Sequence, residues 1–185
     1  MYFLYIFSHL SILIFISSTL NAEQNISPRL NSTIDWDQAY RDHLNVKLSE
    51  NEAISKFRSA SLQEIDNVTL PVLILKKQSV RSTPKFFGQG RSYVATYSLP
   101  KAKLSIIGSA TLISLTDDST YDMYKNTNTF EVTLDGADYS FIKYGASYIL
   151  RLSCDEPTFD MRCTTPKFLN GLANQLIVAG GKAQE

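Results

Sequence analysis

Hydrophobic and polar positions along this chain change period twice, and each change predicts a new kind of element. Residues 1–22 form one apolar run without Asp, Glu, Lys or Arg. Residues 23–34 are polar, carry Pro28 and show no period, which predicts a flexible lead. Trp36, Tyr40 and Leu44 then recur at spacing four. Ile54, Phe57, Ser61 and Ile65 do much the same, with Leu62 beside them, so two helices with one buried face each are expected. Asp35 with Gln38 and Ser49 with Glu52 have the spacing of capping boxes at the two starts.

Beyond Asn67 the period shortens to that of strands. Residues 68–75 are an apolar run in which Pro71 argues against a central strand position. Asp135-Gly136 is a two-residue hairpin signal that sets Leu134 against Ala137, Val132 against Tyr139 and Phe130 against Phe141. A second reversal at Tyr144-Gly145 sets Phe141 against Tyr148, Tyr139 against Leu150 and Ala137 against Leu152. An earlier loop at 100–103 sets Leu99 against Leu104, Tyr97 against Ile106 and Ala95 against Gly108, where the glycine marks a bend. The opposite faces are mostly polar, and Asp138 meets Arg151 there as a surface ion pair.

Thr165-Pro166 reads as the start of a closing helix whose stripe is Phe168, Leu169, Leu172, Leu176 and Ile177, ended by Gly180-Gly181. Burying five such side chains contributes on the order of 7–15 kcal/mol before entropy. A bond from Cys154 to Cys163 ties the last strand to the start of that helix. For so short a loop, loop-closure entropy gives about 2.5–3 kcal/mol. The expected fold is α+β: an antiparallel meander of about five or six strands. One of its faces is covered by the carboxy-terminal helix and the amino-terminal pair.

Composition changes this picture in one respect, location. The run at 1–22 ends in a small-residue site at Ala22 and reads as an export signal. Retained instead of cleaved, it is the chain's one route to a membrane. Cleavage leaves about 160 residues, the usual size of one domain. The expected division is a signal at 1–22, the lead at 23–34, a helical segment at 35–66, and sheet plus final helix at 67–185, with 35–66 in the same domain. An exported chain, periplasmic or secreted, is one whose two cysteines can pair.

Charge is balanced, with eighteen basic and eighteen acidic residues, but it is not evenly spread. No acidic residue lies between Asp66 and Asp117, while Lys76, Lys77, Arg81, Lys85, Arg91, Lys101 and Lys103 all do. Either this half neutralises the acidic stretch at 117–160 within the fold, or Lys76, Lys77, Arg81, Lys85 and Arg91 form a loop that holds an anionic partner. Overall balance and export argue against nucleic acid.

Catalytic inventory is thin. After cleavage His43 is the one histidine, on a helix, with no G-x-S-x-G elbow to supply a serine partner. Carboxylates cluster at Asp117-Asp118 with Asp122, at Asp155-Glu156 with Asp160, and at Asp35 with Asp37, in loops or at a helix start, where solvated charge is the plainer reading. Phe87-Gly88-Gln89-Gly90 lacks the third glycine of a phosphate loop and reads as a turn. No metal or cofactor is implied.

Leu70-Pro71-Val72-Leu73, the hairpins, the cysteine pair and Leu176-Ile177-Val178-Ala179-Gly180-Gly181 are together similar to small exported alphaproteobacterial proteins of unknown function. The resemblance covers residues 68–181 and implies a periplasmic or secreted location without an activity. The expected function is binding of a macromolecular partner. Two alternatives stand beside it: a carrier of a small apolar or anionic ligand, and a hydrolase with a carboxylate or Ser–His43 site.

Overall fold

A computed structural model describes residues 29–31, 33–46, 48–76, 83–113 and 128–183. The expected signal at 1–22 and most of the lead lie outside the described residues. In chain order the elements are β1 Arg29–Asn31, α1 Trp36–Leu44, α2 Leu48–Asp66, β2 Val72–Leu75, β3 Lys85–Gln89, β4 Ser92–Leu99, β5 Ala102–Ser109 and β6 Thr111–Ile113. They continue with β7 Thr129–Thr133, β8 Gly136–Lys143, β9 Ala146–Cys154, α3 Met161–Thr164, α4 Lys167–Ala173 and β10 Leu176–Gly180.

Strands β3-β4-β5-β9-β8-β7 make one antiparallel sheet, so two three-stranded meanders meet where β5 pairs with β9. Its inner face carries Tyr93, Ala95, Tyr97, Leu104, Ile106, Tyr148, Leu150, Leu152, Ala137, Tyr139 and Phe141, all buried in one continuous cluster. The α+β expectation therefore stands. The outer face mixes Thr96, Ser105 and Arg151 with half-buried Val94, Ile107 and Ile149, which lie side by side across three strands.

Residues 176–180 depart from the expected helix. The closing helix stops at Ala173, and β10 pairs antiparallel with β2 as a separate two-stranded sheet. Leu176, Ile177, Val178 and Ala179 are all buried, and so is the whole of β2. A strand covered on both faces has no alternation, so over a short apolar run it is indistinguishable by period from a buried helix.

Strand β2 is paired by β10 on one edge only, and tyrosine hydroxyls satisfy the other. Leu73 N–H donates to Tyr93 Oη at 2.8 Å, Leu75 N–H donates to Tyr97 Oη at 3.1 Å, and Tyr148 Oη donates to the Pro71 carbonyl at 2.9 Å. Residues 71, 73 and 75 share one edge because hydrogen-bonding direction alternates along a strand. Pro71 precedes the strand and contributes a carbonyl there, where it needs no N–H.

Two hairpin registers differ from expectation by two positions, which preserves the buried face. The first β7–β8 turn is Leu134-Asp135, so Thr133 meets Gly136, Val132 meets Ala137, and Phe130 meets Tyr139 instead of Phe141. Gly136 serves close approach, not the turn centre: a Cβ there would run into the Leu152 carbonyl. Leu134 is 99% exposed because it lies in that turn, and Val132 is 61% exposed on the edge strand β7. The β4–β5 turn is Pro100-Lys101, so Leu99 meets Ala102, Tyr97 meets Leu104, Ala95 meets Ile106, and Gly108 leaves room for the Tyr93 ring. The β8–β9 register is as expected, with Tyr144 at φ 52° and Gly145 at φ 75° in the left-handed region that a tight hairpin of this kind requires.

Helices α1 and α2 pack on β10, and α2 also packs on β3 through an edge-on Phe57–Phe86 contact at 5.2 Å. Ile54, Phe57, Ser61 and Ile65 are all buried, as their spacing predicts. The buried face of α1 is rotated: Tyr40 and Leu44 are 66% and 67% exposed, while Ala39 is buried. Asp35 caps α1 by accepting from Gln38 N–H at 2.9 Å, and α2 begins at Leu48, before Ser49. Short helices α3 and α4 cover β8 and β9, joined to the sheet by the Cys154–Cys163 disulfide. Asp138 and Arg151 form the expected pair, bidentate at 2.9 and 2.6 Å.

Candidate functional site

The basic run does not form one patch among the described residues. Lys85 is exposed at the start of β3. Arg91 lies in the turn at its other end, at least roughly 13 Å along the strand for four steps of ~3.3 Å. Arg91 is turned to structural use, donating Nη2–H to the Ala110 carbonyl at 2.8 Å. Lys77 and Arg81 lie outside the described residues. Lys76 follows β2 and is half-buried. Its cationic neighbour is Lys143 at the end of β8, a residue the charge pattern did not single out.

These two lysines line a recess of about 200 Å³ beside the carboxy-terminal half of α1, together with Asp42, Asn45, Leu176, Ile177 and Val178. The β8–β9 turn places its chemistry. Asp35 N–H donates to the Tyr144 carbonyl at 3.0 Å, which pins the start of α1 to that turn. Tyr144 O–H donates to Asp42 Oδ2 at 2.6 Å, and Gln38 Nε2–H donates to Asp42 Oδ1 at 2.8 Å. Both carboxylate oxygens are therefore engaged. Lys143 Nζ lies 4.9 Å from the Tyr144 ring centre, a cation–π contact.

Burial shapes the titration of this corner. It lowers the Lys143 ammonium below its ordinary value, with Asp42 opposing from a distance. It also raises the Tyr144 phenol, reinforced by the hydrogen bond and charge of Asp42. Lys143 makes no ion pair among the described residues. A half-buried ammonium with an aromatic ring on one side and no direct counter-charge favours an incoming anion.

His43 lies in a second recess on α1, and its Nδ1 donates to the Val178 carbonyl at 2.8 Å. No serine or carboxylate lines that recess, so the residues of a Ser–His or paired-carboxylate hydrolase are not assembled there. Within the described acidic clusters, Asp35 and Asp160 are in structural use. Asp35 caps α1. Asp160 caps α3 and pairs with Arg162, while Asp155 and Glu156 are exposed. Asp117, Asp118 and Asp122 lie outside the described residues. Among the described residues no three of His, Cys, Asp and Glu gather as metal ligands. Residues 87–89 continue β3, leaving only Gly90 of that glycine pair in a turn.

Comparison with protein-family models, with curated proteins and with solved structures finds no match to this chain. The chemistry of the recesses is therefore the ground on which function is argued.

Proposed function

We propose that this is an exported, non-enzymatic binding protein, periplasmic or secreted, that engages an anionic group of a macromolecular partner at the Lys76–Lys143 recess. The observation that carries the reading is Lys143: a half-buried ammonium against the Tyr144 ring, without an ion pair among the described residues. Asp42 turns both of its oxygens to Tyr144 and Gln38 and makes no ion pair with Lys143 among the described residues. The Lys143 ammonium on a recess of about 200 Å³ suits a phosphate, sulfate or carboxylate displayed on a partner. The Cys154–Cys163 bond is compatible with an oxidising compartment.

A carrier reading has less support, because the inward tyrosines Tyr93, Tyr97 and Tyr148 hold β2 against the sheet instead of lining a cavity. Calorimetric titration with inorganic phosphate and with sulfate tests the binding reading. Lys143→Gln is expected to weaken binding about ten-fold or more, the order of a lost charge-assisted hydrogen bond. Lys85→Gln, outside the recess, is expected to change it little. Equal affinity of wild type and Lys143→Gln would remove the proposal. Recovery of a partner from envelope extract by wild type but not by Lys143→Gln would then identify what is bound.

A further inference from the structure

On the other side of α1 lies a second recess, of about 100 Å³, between α1, α2 and the end of β10. Its walls are the rings of Trp36, Tyr40 and His43, with the half-buried guanidinium of Arg58 opposite. Its floor is Val178 and Gly180, on either side of a bulge in the β10–β2 pairing. A bulge interrupts the ladder, and here His43 takes up the Val178 carbonyl. Because a carbonyl only accepts, His43 Nδ1 carries the proton, and in the neutral ring Nε2 is then an acceptor. Among the described residues neither Nε2 nor the Arg58 guanidinium has a hydrogen-bond or ion-pair partner.

We propose that this recess binds a carboxylate carried on an apolar group, with Arg58 as its charge partner and the rings of Trp36, Tyr40 and His43 as the wall along which the apolar group lies. Three features select this ligand. Arg58 is the single fixed cation in the recess, which matches a monoanion, and its fork pairs with a carboxylate through two parallel hydrogen bonds. The recess, of about 100 Å³ and open to solvent, has room for a carboxylate and its adjoining carbons. The exposed Tyr40 ring leaves apolar surface for the rest of the ligand. Such a carboxylate is offered by a small free acid or by the carboxy-terminal residue of a polypeptide.

Trp36 is the chain's one tryptophan and lines the recess, so its emission reports occupancy directly. Titration of the disulfide-bonded protein with N-acetyl-leucine is expected to change that emission saturably, and N-acetyl-leucine amide is expected to leave it unchanged. Arg58→Gln should weaken the response at least ten-fold, Arg58→Lys should retain part of it, and Lys143→Gln should not alter it. That last variant keeps the test separate from the anion recess proposed above. Tighter binding of a leucine-terminated peptide than of its amidated form assigns the site to chain ends. Binding of N-acetyl-leucine without the peptide assigns it to small acids. An identical response to acid and amide would overturn the proposal, as would undiminished binding by folded Arg58→Gln. The acid–amide comparison on the wild type decides the matter even if Arg58→Gln fails to fold.

Discussion

Three tyrosine hydroxyls decide how β2 is held, because the free edge of a buried strand must find hydrogen-bond partners. Tyr97→Phe keeps the ring and removes the acceptor of Leu75 N–H. It should cost about 1–3 kcal/mol in denaturant unfolding, the penalty of an unpaired buried amide. Tyr139→Phe is the control, since its hydroxyl meets the exposed Asn170 side chain and its loss should cost less. Burial, the largest cause, raises the phenols of Tyr93, Tyr97, Tyr144 and Tyr148 above the ordinary 10.0. Their contribution to stability is fully present below pH 10 and is lost as pH rises, because the unfolded chain releases those protons first. Alkaline titration followed by phenolate absorbance should therefore show these four ionising together with unfolding. Their ionisation in a chain that keeps its native circular dichroism would contradict the packing.

At the scale of elements, the disulfide joins the end of β9 to α3, with a sequence separation of 9. Replacing both cysteines by serine should cost about 2.5–3 kcal/mol by loop-closure entropy. The inner sheet face should survive the change, since Tyr139, Leu150 and Leu152 are buried independently of the bond. Element type was legible in the sequence wherever one face meets water. The α2 stripe and the β8–β9 register follow from period and turn chemistry alone. Strand β10 was not legible, because its residues and those of β2 are buried on both faces and carry no period. The slipped β7–β8 hairpin has a related cause: Gly136 resembles a turn residue, whereas its missing side chain admits the neighbouring strand. The α1 stripe was misplaced because Ala39, the residue that lets the helix approach β10, gives little apolar signal.

Across the whole molecule, the recesses form because α1 lies on β10 and touches the β8–β9 turn. Nothing local marks Lys143: it belongs to the acidic half of the chain and Lys76 to the basic half. The charge asymmetry therefore pointed to Lys76 and missed the residue beside it in space. His43 was visible as a lone helical histidine, but its bond to Val178 depends on a strand that periodicity hid. The most direct test of the binding account is the titration of the Lys143 side chain by nitrogen-15 NMR, with and without inorganic phosphate. The account predicts a pKa below the ordinary 10.5 in the free protein, from burial, that moves upward saturably as phosphate occupies the recess. A free-protein value at 10.5 that phosphate does not shift would contradict it.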